Sequence, residues 1–259
     1  MPLPRKLIAC LGAAALFSLA ACRSVPIAPP AGVSAEGINA IGTRMLGGFV
    51  SVRSDLYLPG APAADGPRQT HRCEADGSMV SMTLDARAAD QAAALCALAL
   101  QAALQAHARH PALGYDIDLH LYPAGTGVRM QRAHLRFRRA QVSLVAPIFD
   151  DIARTRANLV DLIAHEGFHV LGLASHDPDA GDERRAYYAG LCTQLAVLGR
   201  VSRANLPGAP LASTSAAVET SSAAAYAVRR EAWPWFEHGD LVRGSAAAQD
   251  LLAHCDGRL

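Results

Sequence analysis

Two histidines four residues apart, with a glutamate directly after the first, occur at His165-Glu166-Gly167-Phe168-His169. On an α-helix, residues at this spacing stand one above the other on the same face. Two imidazoles placed so can each aim a nitrogen at one zinc ion, and the intervening glutamate points to the side where water would sit. A catalytic zinc takes three protein ligands and keeps one position for water, whose pKa falls toward about 7. Glu166 is then placed to act as general base in attack on a carbonyl. At the His and Glu frequencies of this chain the pattern arises by chance in about one sequence in a hundred. The setting lowers that chance further, because Asp161 is the only charge between residues 159 and 171 outside the motif. A solvent-facing helix would carry charges in those gaps. Two histidines and a glutamate buried without a partner would be costly, and a metal removes the cost.

The motif and its apolar flanks resemble those of the zincin metallopeptidases. So does the order strand, long helix, strands and motif helix, over residues 80–200. Zincin subfamilies differ in the third ligand, which this sequence leaves open. The run from His169 through Gly172 to His176 is similar to the metzincin pattern HExxHxxGxxH, but Ser175 stands where the third histidine belongs, and no Met-turn follows. A gluzincin-like reading takes Glu183, 14 residues beyond His169, enough for a turn and an antiparallel return. An aspzincin-like reading takes Asp179 or Asp182, without that family's Gly-Thr-x-Asp pattern. Glu183 is preferred, His176 next and Asp182 third. The competing explanation for Glu183 is a first-turn carboxylate stabilising a helix N-terminus by about 0.3–1 kcal/mol. The resemblance implies Zn2+ as cofactor, Glu166 as catalytic base, and a peptide or protein substrate. It also implies an edge strand just before the motif helix, residues 134–145, that pairs with extended substrate. Two other functions fit the same residues: a non-catalytic zincin-like assembly or binding factor, and a metal-dependent amidase acting on cell-wall peptides.

The elements that must hold this motif are legible in outline. The chain has 259 residues, 51% hydrophobic and 18% charged, with a formal net charge of +1. That apolar fraction excludes a disordered chain, and a charge near zero leaves no electrostatic footprint for nucleic acid. Short strand-like runs occupy residues 49–52, 56–58 and 79–84, with a Pro/Gly/Asp loop at 59–67. An Ala/Leu/Gln-rich helix covers 86–110. Residues 115–121 alternate as a half-buried strand does, and further strand pattern runs over 134–138 and on to 145. Asp150 and Asp151 offer an N-cap for a motif helix ending near 173. Helical stretches follow at 182–201, 223–237 and 245–255, with a Pro/Ser/Thr-rich loop at 206–222. The expected class is α+β: a mixed sheet with one long helix to about residue 150, then a helical half from 151 to 259. Tyr187 lies one turn beyond Glu183, where it either packs or donates to an oxyanion. Arg129, Arg132, Arg136, Arg138 and Arg139 read as a solvated strand face, and Trp233, Trp235 and Phe236 as core.

The N-terminus reads as an address. Arg5 and Lys6 precede an apolar run over residues 7–19 that is too short to span a bilayer. Leu19-Ala20-Ala21-Cys22 resembles the lipobox of bacterial lipoproteins, which implies cleavage after residue 21 and acylation of Cys22. The expected domains are a signal peptide over 1–21, a Pro/Ala/Gly-rich tether over 22–37 and one folded domain over 38–259. Arg23, not being Asp, favours the periplasmic face of the outer membrane under that family's sorting rule. The lipid at Cys22 would be the membrane contact. Loss of Arg5 and Lys6 takes the net charge from +1 to −1. In an oxidising envelope the remaining Cys73, Cys96, Cys192 and Cys255 are expected to form two disulfides, with the local pairing Cys73–Cys96 and Cys192–Cys255 preferred.

Overall fold

The structure is a computed structural model that describes residues 39–46, 49–56, 68–123, 131–136, 139–203, 206 and 216–258. The expected signal peptide and tether, Cys22 and the Tyr57-Leu58 run lie outside the described residues, as do Arg129 and residues 137–138, Arg138 among them.

Seven strands form one mixed sheet: β1 (Asn39–Leu46), β2 (Phe49–Leu56), β3 (Arg68–Ala75), β4 (Ser78–Asp85), β5 (Gly114–Pro123), β6 (Gln131–Arg136) and β7 (Arg139–Ile148). Their spatial order is β1-β2-β6-β7-β5-β4-β3. The centre is parallel, β4 against β5 and β5 against β7, and all other pairings are antiparallel. Parallel neighbours need a crossover, which helix α1 (Ala92–His107) supplies between β4 and β5. Period-two alternation puts Val80, Met82 and Leu84 of β4 on the same face as Ile117 and Leu119 of β5 and Val142 and Leu144 of β7. The register pairs Val80 with Ile117 and Ile117 with Val142, so these side chains form a continuous apolar floor. Leu95, Ala99, Ala102 and Ala103 of α1 pack on it, together with Leu159, Val160 and Ile163 of helix α2 (Ile152–Ala174).

Helix α2 starts where Asp151 caps it, its carboxylate accepting from the Ala153 N–H at 2.9 Å. Helix α3 (Glu183–Leu198) returns antiparallel and ends at Gly199, whose φ of 71° is the left-handed cap glycine favours. Strands β8 (Arg200–Val201) and β9 (Leu241–Val242) form a small ribbon. Helices α4 (Ala216–Ala232) and α5 (Ala246–Arg258) surround a second core of Tyr188, Leu191, Leu195, Val228, Phe236 and Leu251. Trp233 and Trp235 pack against that core, as the sequence implies. Disulfides Cys73–Cys96 and Cys192–Cys255 tie β3 to α1 and α3 to α5, the local pairing expected. Among the described residues no helix is long and apolar enough to cross a membrane.

The α+β class holds, and several details are corrected. Residues 86–91 form a 3-10 turn that breaks at Ala88 (φ −104°, ψ 16°), so the long helix starts at 92 and ends at 107. The helix expected over 182–201 stops at Leu198, and Arg200–Val201 is strand. Residues 216–222, expected as loop, belong to α4; their Ser and Thr content reads as loop because those side chains compete for backbone hydrogen bonds. The run expected as one edge strand over 134–145 is a hairpin of two strands. Strand β7 lies between β5 and β6, and β6 is itself paired to β2, so neither has a free edge for a substrate. Strand β3 was not expected at all. It is an edge strand, exposed at Gln69, Thr70, His71 and Arg72, and so lacks apolar alternation. Its signal is the dipeptide Asp76-Gly77, with φ of 43° and 81°, the two-residue turn that suits a twisted hairpin.

Candidate metal centre

Helix α2 places His165 and His169 one turn apart on the face turned toward α3, and their Nε2 atoms lie 3.3 Å apart. Glu183, the first residue of α3, brings Oε2 to 3.5 Å from His165 Nε2 and Oε1 to 3.7 Å from His169 Nε2. Among the described residues these three form the group of His, Cys, Asp and Glu side chains whose ligand atoms lie within 4.8 Å of one another. Donors about 2.0–2.1 Å from a tetrahedral ion stand about 3.3–3.4 Å from each other. The two imidazole nitrogens stand at that spacing, and each meets a different Glu183 oxygen a few tenths of an ångström beyond it. Glu166 Oε1 lies 4.0 Å from His165 Nε2, so the fourth polar group borders the same space. Side-chain exposure is 11% at His165, 15% at Glu166 and 25% at Glu183, so the group is largely buried but not sealed from solvent.

Local sequence explains how a glutamate 14 residues away arrives here. Helix α2 ends in two hydrogen bonds that reverse the chain, Asp177 N–H to Gly172 O at 2.9 Å and His176 N–H to Leu173 O at 3.2 Å. This 6→1 and 5→2 pattern needs a left-handed residue, and His176 supplies it with φ 62°. The loop then folds back over Gly172, where an added Cβ would meet the Ala180 Cβ at 2.9 Å. That approach sets Ala180 O above His169, whose Nδ1–H donates to it at 2.7 Å. The bond holds the proton on Nδ1 and leaves the Nε2 lone pair for a metal. Asp182 is the N-cap of α3, accepting from the N–H groups of Arg184 and Arg185. Glu183 follows it directly and faces α2.

The other third-ligand candidates stand outside this group. His176 is exposed at the end of α2, Asp182 caps α3, and Asp179 pairs with Arg185. Tyr187, one turn after Glu183, packs its ring edge-on against His165 with centroids 4.5 Å apart. Gly167 inside the motif is required by packing. A Cβ there would lie 2.9 Å from Ala106 Cβ and 3.3 Å from the Tyr115 hydroxyl. Tyr115 is fully buried beneath the motif and donates to Ile163 O at 3.2 Å. Burial and the nearby Glu166 charge push its hydroxyl pKa well up.

The electrostatics are those of a largely buried charged cluster. Burial alone would lower the His169 pKa, but its bond to Glu183, the Glu166 charge and the Ala180 carbonyl raise it to about 9. Burial would raise Glu183, yet the two imidazoles hold it well below the usual carboxylate range. The metal-free site therefore keeps a proton on His169 facing the Glu183 carboxylate.

Three neighbours of the group were not singled out by sequence. Asp161 sits one turn before His165 and accepts from Gln194 Nε2 at 3.0 Å. Burial pushes its carboxyl up to about 6, against the opposing pull of His165 and Gln194. Gly190 lies against that carboxylate. The available signal was Asp161 as the one non-motif charge in its apolar stretch. Comparison with models of known protein families finds no match for this chain, and comparison with curated proteins finds none either.

Proposed function

We propose that this protein is a zinc-dependent peptidase of gluzincin type, held by lipid at Cys22 in a bacterial envelope. The observation that carries the reading is the convergence of His165, His169 and Glu183 donor atoms at 3.3, 3.5 and 3.7 Å, beside Glu166. The donor chemistry fits zinc, because two imidazoles and a carboxylate are the ligand set of peptidase sites that keep one open position. Zinc bound there would supply Lewis acidity, polarising an amide carbonyl and making water acidic near neutral pH. Glu166 takes the proton of the attacking water and passes it to the departing amine nitrogen. His169 is kept in its ligand tautomer by Ala180, and the Tyr187 ring packs edge-on against His165. Two disulfides in the fold support an oxidising compartment, in keeping with the lipobox-like N-terminus.

The test uses the full-length chain in detergent, loaded with zinc, with casein and purified peptidoglycan as alternative substrates. The expected result is casein cleavage that Glu166→Gln lowers by about 10²–10⁴-fold while zinc stays bound. Release of peptidoglycan peptides without casein cleavage would point to an amidase instead. Zinc binding with neither product would point to a binding protein.

A further inference from the structure

Coordination through Nε2 places the proton of each imidazole on Nδ1, and that proton needs an acceptor of its own. For His169 the acceptor is Ala180 O at 2.7 Å. For His165 the Nδ1 atom is buried and has no hydrogen-bond partner. Side chains on a helix lean toward its N-terminus, and Asp161 stands four residues before His165, one turn back along the same face. The Asp161 carboxylate is kept on this side by two features of α3. Gln194 Nε2 donates to Oδ1 at 3.0 Å, and Gly190 leaves the space the carboxylate fills. Gln194 is itself 0% exposed, and its Oε1 is a buried acceptor without a hydrogen-bond partner. A buried donor lacking an acceptor and buried acceptor capacity lacking a donor thus occupy adjoining turns of two packed helices.

We infer that Asp161, held by Gln194, is the positioning residue for His165, accepting its Nδ1 proton when a metal is bound. The inference rests on the metal centre proposed above. No part of Asp161 enters the ligand group; it acts through the imidazole by fixing the tautomer and the ring angle. Its carboxylate also makes the imidazole a better donor toward a cation. Outer partners of this kind are worth about 10–100-fold in metal affinity.

The experiment is a zinc titration of the full-length chain against a chromophoric chelator. Asp161→Ala, which leaves no acceptor, should bind zinc about 10–100-fold more weakly than the natural chain. Asp161→Asn, whose amide oxygen can still accept, should recover part of that loss. The metal-free Asp161→Asn protein should melt no lower than the natural chain, since it keeps an acceptor for Gln194 and removes a desolvated carboxylate. Should Asp161→Ala fail to fold, nitrogen-15 NMR of the zinc-loaded natural chain gives the answer directly. A slowly exchanging, downfield His165 Nδ1 proton is expected. Unchanged zinc affinity in Asp161→Ala, or a fast-exchanging Nδ1 proton in the zinc-loaded natural chain, would overturn the inference and leave the metal centre standing. Failure of the natural chain to bind zinc at all would instead overturn the metal centre, and this inference with it.

Discussion

Gly190 of α3 stands directly over the Asp161 carboxylate of α2. An added Cβ would overlap Oδ1 and lie 2.9 Å from Cγ. Ala is ordinarily preferred to Gly inside a helix by about 1 kcal/mol, so exposed helical glycines are improved by the exchange. Here overpacking outweighs propensity, because the carboxylate is pinned by Gln194 and cannot step aside. Gly190→Ala should therefore destabilise the fold by about 1–3 kcal/mol in urea titration. It should also weaken zinc binding, since α3 carries Glu183. A variant as stable as the natural chain would show that the two helices do not meet this closely.

His176 offers the opposite case. A non-glycine residue in the left-handed region costs about 1–2 kcal/mol, and this one pays it at φ 62° to turn the chain toward Ala180 and Glu183. His176→Gly should stabilise the protein by about 0.5–1 kcal/mol, after the extra unfolded-state entropy of glycine is counted. Zinc affinity should not change. A loss of affinity would restore His176 as a ligand and displace Glu183.

Zinc loading should release a proton. In the metal-free protein the His169 pKa is raised from 6.5 to about 9, so the group is charged at neutral pH. A metal must displace that proton. Calorimetry at pH 7 in buffers of different ionisation enthalpy should show about one proton released per zinc, falling toward none above about pH 9. The stability of the metal-free protein carries the same signs. The His169 contribution is fully present below about 6.5 and is lost as pH rises through about 9. The Glu183 contribution is present above its ordinary 4.5 and is lost as pH falls below it. Asp161 acts the other way, since burial raises it from 3.8 to about 6 and stability declines as it ionises across that range. Asp161→Ala should accordingly flatten the decline between pH 4 and 6 in a thermal-melt series.

The two disulfides close loops of different length, with sequence separations of 23 and 63. On chain-entropy grounds their removal should cost about 3 and about 4 kcal/mol respectively. Cys192 lies on the helix that carries Glu183, whereas Cys73–Cys96 ties down an edge strand. Replacing Cys192 and Cys255 by Ala should thus lower both melting temperature and zinc affinity. Replacing Cys73 and Cys96 should lower the melting temperature alone, as differential scanning fluorimetry with and without zinc would show.

The local sequence by itself determined the two imidazoles and Glu166, because an i, i+4 spacing needs only a helix to become a shared face, and the Asp151 cap with the long run after it marks that helix. The same holds for the inward residues of β4 and β5, where alternation alone fixes which side chains meet the core. Tertiary structure decided which carboxylate stands beside the two imidazoles. Glu183, His176, Asp179 and Asp182 all lie within reach along the chain. The choice among them came from the turn at His176, the bare backbone at Gly172 and the cap at Asp182, which together aim one carboxylate at α2. Tertiary structure also placed β7 inside the sheet and set Gln194 against Asp161. Those are pairings between segments distant in sequence, and no local period records a partner that lies on another element.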